Sequence, residues 1–179
     1  MNWINVNEKY LDYLREYEKR IPYSDYGENK YKPFFGALFE TDELIYITQI
    51  SHAQERHKKM KQQKDFYKIH DTDVPTRLIA VVNLNYMFPI PRCETSLFEK
   101  KDIASYRSFS DEKEKSKYID LLDKEIKVIN TLNLERAAEE LYRMKYTYPD
   151  SFVAQRCLDY KTLEKYAKAW RGFAEYKKD

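Results

Sequence analysis

Apolar and polar positions follow two different periods along the chain, and the change from one to the other divides it. Trp3, Ile4, Asn5 and Val6 alternate as a short strand. After Asn7, a natural N-cap, Tyr10, Leu11, Leu14 and Tyr17 recur at helical spacing up to Arg20, so a first helix is expected over 7–20. Residues 22–32 carry the turn formers Ser24, Asp25, Gly27 and Asn29 and read as a surface loop. Two runs rich in aromatic and β-branched residues follow, 33–40 and 44–50. They are joined by Thr41, Asp42 and Glu43, the pattern of an antiparallel hairpin.

The segment after the second run has no β-branched residue up to Gln63, which favours a helix and makes Ser51 its N-cap at a strand-to-helix junction. Residues 66–69 read as a short strand and 76–83 as the strongest strand of the chain. Pro89 and Pro91 restrict 87–92 to an edge strand or an irregular connection. From Ser110 the period becomes helical, with Asp111 to Lys117 as solvated first turns. Tyr118, Leu121, Leu122, Glu125, Ile126 and Ile129 share one face. A second helix starts near Asn133 with Leu134, Ala137, Ala138 and Leu141, and a third, 161–176, carries Leu163, Tyr166, Ala167 and Trp170. Strands first and helices second give an α+β class, and 179 residues without repeat or long linker suit one compact domain, 1–179.

Composition removes several functions. Only three glycines occur, Gly27, Gly36 and Gly172, and none are spaced to form a dinucleotide or Walker A loop. Cys93 and Cys157 stand alone, without CxxC or HExxH spacing, so no zinc site is expected. Two lone cysteines suit a reducing cytoplasm. No GxSxG elbow surrounds Ser51, and no recognisable carboxylate set marks a metal nuclease. No cofactor is therefore expected. No apolar run is long enough to cross a membrane and no secretory signal is visible. The aromatics go the other way, with 17 Tyr, 9 Phe and 2 Trp, which serve a thin aliphatic core or a surface on which bases stack.

Net charge is only +2, yet its distribution is uneven. Residues 51–70 hold six Lys or Arg against two acidic residues, a local +4, so the other 159 residues sum to −2. All three histidines, His52, His57 and His70, lie in the same segment. One concentrated basic patch on a near-neutral protein points to a polyanionic partner. RNA carries its own nucleophile, the 2′-hydroxyl. A metal-free site need only orient it, move a proton and stabilise charge on phosphorus. The hydroxyl, lysines and helix N-H groups expected around Ser51 suit that task.

Lys32-Pro33-Phe34-Phe35-Gly36-Ala37-Leu38-Phe39-Glu40, followed by Tyr46-Ile47-Thr48-Gln49-Ile50-Ser51, resembles the K/R-x-F-[IV]-G strand and the second, hydroxyl-ended strand of the ToxN/AbiQ family of type III toxin–antitoxin toxins. Val74-Pro75 to Leu78 and Val82-Asn83-Leu84-Asn85-Tyr86-Met87-Phe88-Pro89-Ile90-Pro91 is similar to a later family segment. Tyr10-Leu11-Asp12-Tyr13-Leu14 through Arg20-Ile21-Pro22 fits its first helix. The likeness runs from about residue 6 to 98 and, more faintly, from Arg156-Cys157 into the last helix. It is nearest the phage abortive-infection members.

The resemblance implies a strongly bent antiparallel sheet, or small Kid/MazF/CcdB-like barrel, with helices around it. It implies a metal-independent endoribonuclease that leaves a 2′,3′-cyclic phosphate on cellular or phage RNA. It also implies a small tandem-repeat RNA antitoxin that the toxin processes and that inhibits it, in some members within a cyclic protein–RNA assembly. Carried over by position, Lys32 would neutralise phosphate charge and Ser51 would hold a phosphate oxygen or the 2′-hydroxyl. His52 replaces the relatives' next serine and is a candidate acid or base; Gln54 replaces a lysine. Tyr26, with Tyr31 second, is the candidate for the loop tyrosine. Lys30, Gln54, Arg56, His57, Lys58, Lys59 and Lys61 complete the expected RNA-binding set. A noncatalytic RNA-binding regulator using the same patch, and a protein-interaction module built on 111–179, are the competing readings.

Overall fold

A computed structural model describes residues 1–27, 30–41 and 43–172. Asn29 and Asp42, expected in turns, and residues 173–176 of the expected last helix lie outside the described residues. Strand β1 (Asn2–Val6) leads into helix α1 (Glu8–Tyr17), where the Asn7 side chain accepts from the Lys9 N-H and caps the first turn. Strands β2 (Phe34–Gly36), β3 (Glu40–Thr41) and β4 (Leu44–His52) follow, then the short helix α2 (Glu55–Lys59). Next come β5 (Phe66–His70), β6 (Leu78–Asn83), β7 (Phe88–Pro91) and β8 (Thr95–Leu97). Helices α3 (Ile103–Tyr106), α4 (Glu112–Ile129), α5 (Leu134–Thr147), α6 (Phe152–Arg156) and α7 (Tyr160–Ala169) complete the α+β order.

All strand pairs are antiparallel, and β4 organises them. Its first half, 44–47, lies between β3 and β7. Its second half pairs with β2 at Thr48 and Gln49 and with β6 at Ile50, Ser51 and His52. Both neighbours break at the same level: the first expected run splits into β2 and β3, and a 3-10 turn, Leu84–Tyr86, separates β6 from β7. A central strand that changes both partners midway is how a bent sheet is built. At the break Gly36 approaches β4 so closely that a Cβ would lie 2.8 Å from Ile47 Cγ2. Pro89 and Pro91 sit on β7, which pairs only with β4 among the described strands and so leaves the prolines on an edge.

Two expectations are corrected. Ser51 is not a helix cap: β4 runs on through His52 because Val81 and Ala80 offer it a ladder, and pairing across the sheet outweighs local helix propensity. The expected long basic helix is only α2, which starts after Gln54 and ends where Met60 returns to extended backbone. Phosphate binding by helix N-H groups at Ser51 therefore has no structural basis here.

The core lies between the sheet and the helices. Tyr10, Phe34, Phe35, Tyr46, Phe88 and Tyr160 are fully enclosed. The tyrosine excess is thus largely core, and its hydroxyls are used: Tyr10 Oη donates to the Pro89 carbonyl at 2.8 Å, and Tyr46 Oη to Glu164 Oε1 at 2.9 Å.

Candidate active site

The alternation of β4 sets the site. Gln49 and Ser51 share one face of the strand, and His52 projects to the other. Gln49 is only 8% exposed, and its amide is fully used. Nε2 donates to the carbonyls of Tyr23 at 2.8 Å and Lys32 at 2.9 Å, and Oε1 accepts from Tyr26 Oη at 2.8 Å. One buried amide therefore ties the 23–32 loop at both ends and in its middle. The Lys32 N-H adds a bond to the Ser24 carbonyl at 2.8 Å.

Ser51 opens into a pocket of about 250 Å³ shared with Tyr26, Arg56, Arg20 and Gln49. The Lys32 ammonium lies 4.8 Å from the centroid of the Tyr26 ring, which links the lysine to this pocket. His52 lines a larger cleft of about 580 Å³ between the strand ends and α4, with Arg77, Arg107, Tyr118 and Lys124 around it. The two recesses lie on opposite sides of the end of β4. Lys32 acts on both, through the Tyr26 ring on one side and through its charge at His52 on the other.

The electrostatics follow from partial desolvation and neighbouring charge. Burial lowers the pKa of Lys32, and the Glu125 carboxyl on α4 opposes that fall. Desolvation in the cleft, with the nearby cations Lys32 and Arg107, pushes His52 below the ordinary imidazole value. Its imidazole is accordingly neutral at neutral pH and able to accept a proton. Burial raises Tyr26, so its hydroxyl keeps its proton for Gln49.

The other expected residues separate into groups. The Tyr31 ring stacks on Tyr106 at 4.9 Å and its hydroxyl donates to Asn5 Oδ1, so this tyrosine is engaged in packing, whereas Tyr26 lines the Ser51 pocket. His57 is buried, its Nδ1 accepts from the Gln54 N-H at 3.1 Å and its ring meets Phe66, so it supports the β4–α2 turn. Gln54, Arg56, Lys58, Lys59 and Lys61 are exposed around that turn, with Lys58 Nζ 2.6 Å from Glu55 Oε1. Lys30 is exposed in the loop, where its backbone bonds Gly27 and Tyr26.

Sequence reasoning missed Gln49, whose signal was an amide inside the otherwise apolar and hydroxyl-bearing run of β4. It also missed Arg107, which reaches the cleft from the loop before α4, where it bonds Glu114 Oε1 at 3.0 Å. Among the described residues, no three His, Cys, Asp or Glu side chains are grouped so as to hold a metal ion.

The chain is a small α+β protein with a bent sheet, whose central strand ends in a hydroxyl that shares a pocket with Arg20 and Arg56 and a strand face with the amide that ties down the tyrosine–lysine loop. Solved structures share the fold. One comes from work on a processed non-coding RNA that regulates a bacterial antiviral system: it is 20% identical, with a TM-score of 0.77, and the match covers 96% of this chain and all of that one. Another is AbiQ, a lactococcal anti-phage endoribonuclease of a type III toxin–antitoxin system, at 19% identity and TM-score 0.74, covering 99% and 98% of the two chains. A third, from a bacterial type III system in which a non-coding RNA pseudoknot selectively inhibits the toxin, gives 21% identity and TM-score 0.73 over the whole of both chains.

Residues 2–168 match the family described as Toxin ToxN, type III toxin-antitoxin system, and the chain belongs to that family. It is also 28% identical over 101 residues to Endoribonuclease ToxN of Pectobacterium atrosepticum, a match that spans 55% of this chain and 59% of that protein. The chain thus spans less than two thirds of the length of the curated relative it matches.

Proposed function

We propose that the chain acts in the cytoplasm as one endoribonuclease domain, the toxin of a type III toxin–antitoxin or phage abortive-infection system. It cleaves RNA without a metal. The observation that carries this reading is the Gln49 clamp, which ties the Lys32 backbone and the Tyr26 hydroxyl to the face of β4 that carries Ser51, while a neutral His52 stands at the end of the same strand. In this mechanism His52 takes the proton of the 2′-hydroxyl, the 2′-oxygen attacks phosphorus, and the bond to the 5′-oxygen breaks. The products are a 2′,3′-cyclic phosphate and a 5′-hydroxyl, the leaving oxygen taking up a proton as it departs. Lys32, whose charge reaches both recesses, neutralises charge building on that phosphate, and Ser51, on the opposite face of β4 from His52, donates to an oxygen of a neighbouring phosphate. Arg56 and the exposed Lys58, Lys59 and Lys61 hold flanking phosphates.

The partner is a small tandem-repeat RNA that the protein cuts into units and that then inhibits it, within a cyclic protein–RNA assembly. Its other substrates are cellular or phage RNAs. No helix among the described residues is long and apolar enough to cross a membrane. Incubation of the purified protein with its repeat RNA in EDTA is expected to yield discrete fragments ending in cyclic phosphate. Complete loss of cleavage on chelation, or salt-sensitive binding with the RNA left intact, would replace this reading with a metal enzyme or a binding regulator.

A further inference from the structure

The pocket into which Ser51 opens does not end at the serine. At Asn83 and Tyr86 it meets a second recess of about 170 Å³, which those two residues also line, together with Gln63 and Asn85. Strand pairing fixes the junction. Ser51 pairs with Val81 on β6, and Asn83 follows two residues later, so it stands on the same face of the sheet, about 7 Å along the strand. Tyr86 and Asn85 belong to the 3-10 turn at which β6 gives way to β7. That turn is pinned from two directions: the Leu84 N-H donates to the Asp65 carbonyl at 2.8 Å, and the Leu158 N-H donates to the Asn85 carbonyl at 3.1 Å. Arg156, which lines the second recess, donates to both Asp65 carboxylate oxygens and to Gln63 Oε1, each at 2.8 Å.

The polar groups of this recess are largely unused by the fold. The Asn83 side chain does not cap the turn and has no hydrogen-bond partner among the described residues. Asn85 is only 6% exposed, yet its Nδ2 finds just the Arg156 carbonyl, at 3.5 Å, and its Oδ1 accepts nothing among the described residues. With Oε1 of Gln63 taken by Arg156, its Nε2 keeps both hydrogens free. Tyr86 is 37% exposed, and no other aromatic ring among the described residues stacks on it. Enclosed amides without full partners weaken a fold. Amides on a rigid wall do, however, read the donors and acceptors along a base edge, and an open aromatic face takes the plane of a base.

The first recess supplies what a phosphate needs, the Ser51 hydroxyl and the Arg56 guanidinium, and the second supplies what a base needs. We infer that the second recess is a nucleobase subsite: the base of the nucleotide whose phosphate meets Ser51 lies on the Tyr86 ring and is read along its edge by Asn83, Asn85 and Gln63. The inference rests on the phosphate role proposed above for Ser51, and it makes the protein select RNA at one position beside the cut.

Two readouts test this on the full chain, one of which needs no cleavage. Four 2′-fluoro oligoribonucleotides, each built mainly of one base, lack the attacking hydroxyl, and their affinities are measured by fluorescence anisotropy. The wild type is expected to prefer one of them by roughly tenfold, and Asn83→Ala and Gln63→Ala to reduce that preference to within about threefold. Tyr86→Ala is expected to weaken all four roughly tenfold, with Tyr86→Phe restoring them. In the second readout, the cut ends of a randomised RNA are sequenced, and the two amide variants should lose base preference at a single position beside the cut. A wild type that binds the four oligonucleotides alike, or variants that keep its preference, overturns the inference. If Asn83→Ala does not fold, Gln63→Ala and Tyr86→Ala, both at exposed positions, decide the outcome. Cleavage with an unaltered pattern in the folded variants overturns the subsite and leaves the nuclease reading standing. An altered preference in binding with no cleavage of any RNA supports the subsite and refutes the nuclease reading instead.

Discussion

Substitution of Gln49 by leucine asks whether the loop is positioned by one amide. Leucine keeps most of the volume and removes three bonds, to the Tyr23 carbonyl, the Lys32 carbonyl and the Tyr26 hydroxyl. At a net ~1 kcal/mol for each bond, the loss is about 3 kcal/mol. The added apolar burial returns about 1 kcal/mol, which leaves a deficit of about 2 kcal/mol. In a chain of this size that is a fall of roughly 4–8 °C in Tm. The effect on cleavage should be larger, because the loop carries both Lys32 and Tyr26, and a misplacement of ~1 Å at a reacting centre costs about 100-fold. Stability can be followed through the buried Trp3 and Trp170 in urea, and cleavage by single-turnover kinetics on the repeat RNA. A Gln49→Leu protein that loses the expected stability yet cuts at the wild-type rate would refute the positioning argument. One that loses neither would refute the hydrogen bonds themselves.

Other outcomes follow from the same geometry. Because the His52 pKa is lowered and the base must be neutral, cleavage should rise with pH through a value below the ordinary imidazole range. His52→Gln should remove that limb, as read from a pH–rate profile. Tyr26→Phe breaks a 2.8 Å bond to Gln49 and should slow cleavage, whereas Tyr31→Phe, which breaks the bond to Asn5, should lower Tm and leave the rate within about twofold, the size of a sub-kcal/mol effect. Glu125 ionises near 4.5 in the unfolded chain and at about 8 in the folded one. Wild-type stability should therefore fall as pH rises across that window, and Glu125→Gln should flatten the slope in urea titrations at several pH values.

Local chemistry was legible where local chemistry decides. Asn7 caps α1 as its residue type suggested, and the charged stretch from Asp111 marks the start of α4, with Asp111 itself serving as the cap and not as part of the first turn. The hairpin runs and the proline edge were equally visible, since aromatic and β-branched spacing and a missing N-H are properties of the residues themselves. Contacts between distant segments were not. The continuation of β4 through Ser51 and His52 depends on a ladder with Val81 and Ala80, and β8 exists because it pairs with β1. Lysines at 58, 59 and 61 favour a helix, but the bridge between Gln63 and Phe66 closes the turn into β5 soon after α2. The site shows the same division. Lys32 and Ser51 lie within recognisable motifs, Tyr26 was one of two candidates in a loop without one, and Gln49 matters through partners 17 to 26 residues away.

Glu164 on α7 receives the Tyr46 hydroxyl at 2.9 Å and the Tyr142 hydroxyl at 3.0 Å, so the first half of β4 is finished by a carboxylate encoded long after Ser51. During synthesis, a chain that has emerged as far as β4 holds its reactive side chains on a strand whose fully enclosed tyrosine still lacks an acceptor. Under the function proposed above, the strand that carries Ser51 and His52 is therefore completed only when α7, among the last elements made, has docked on it.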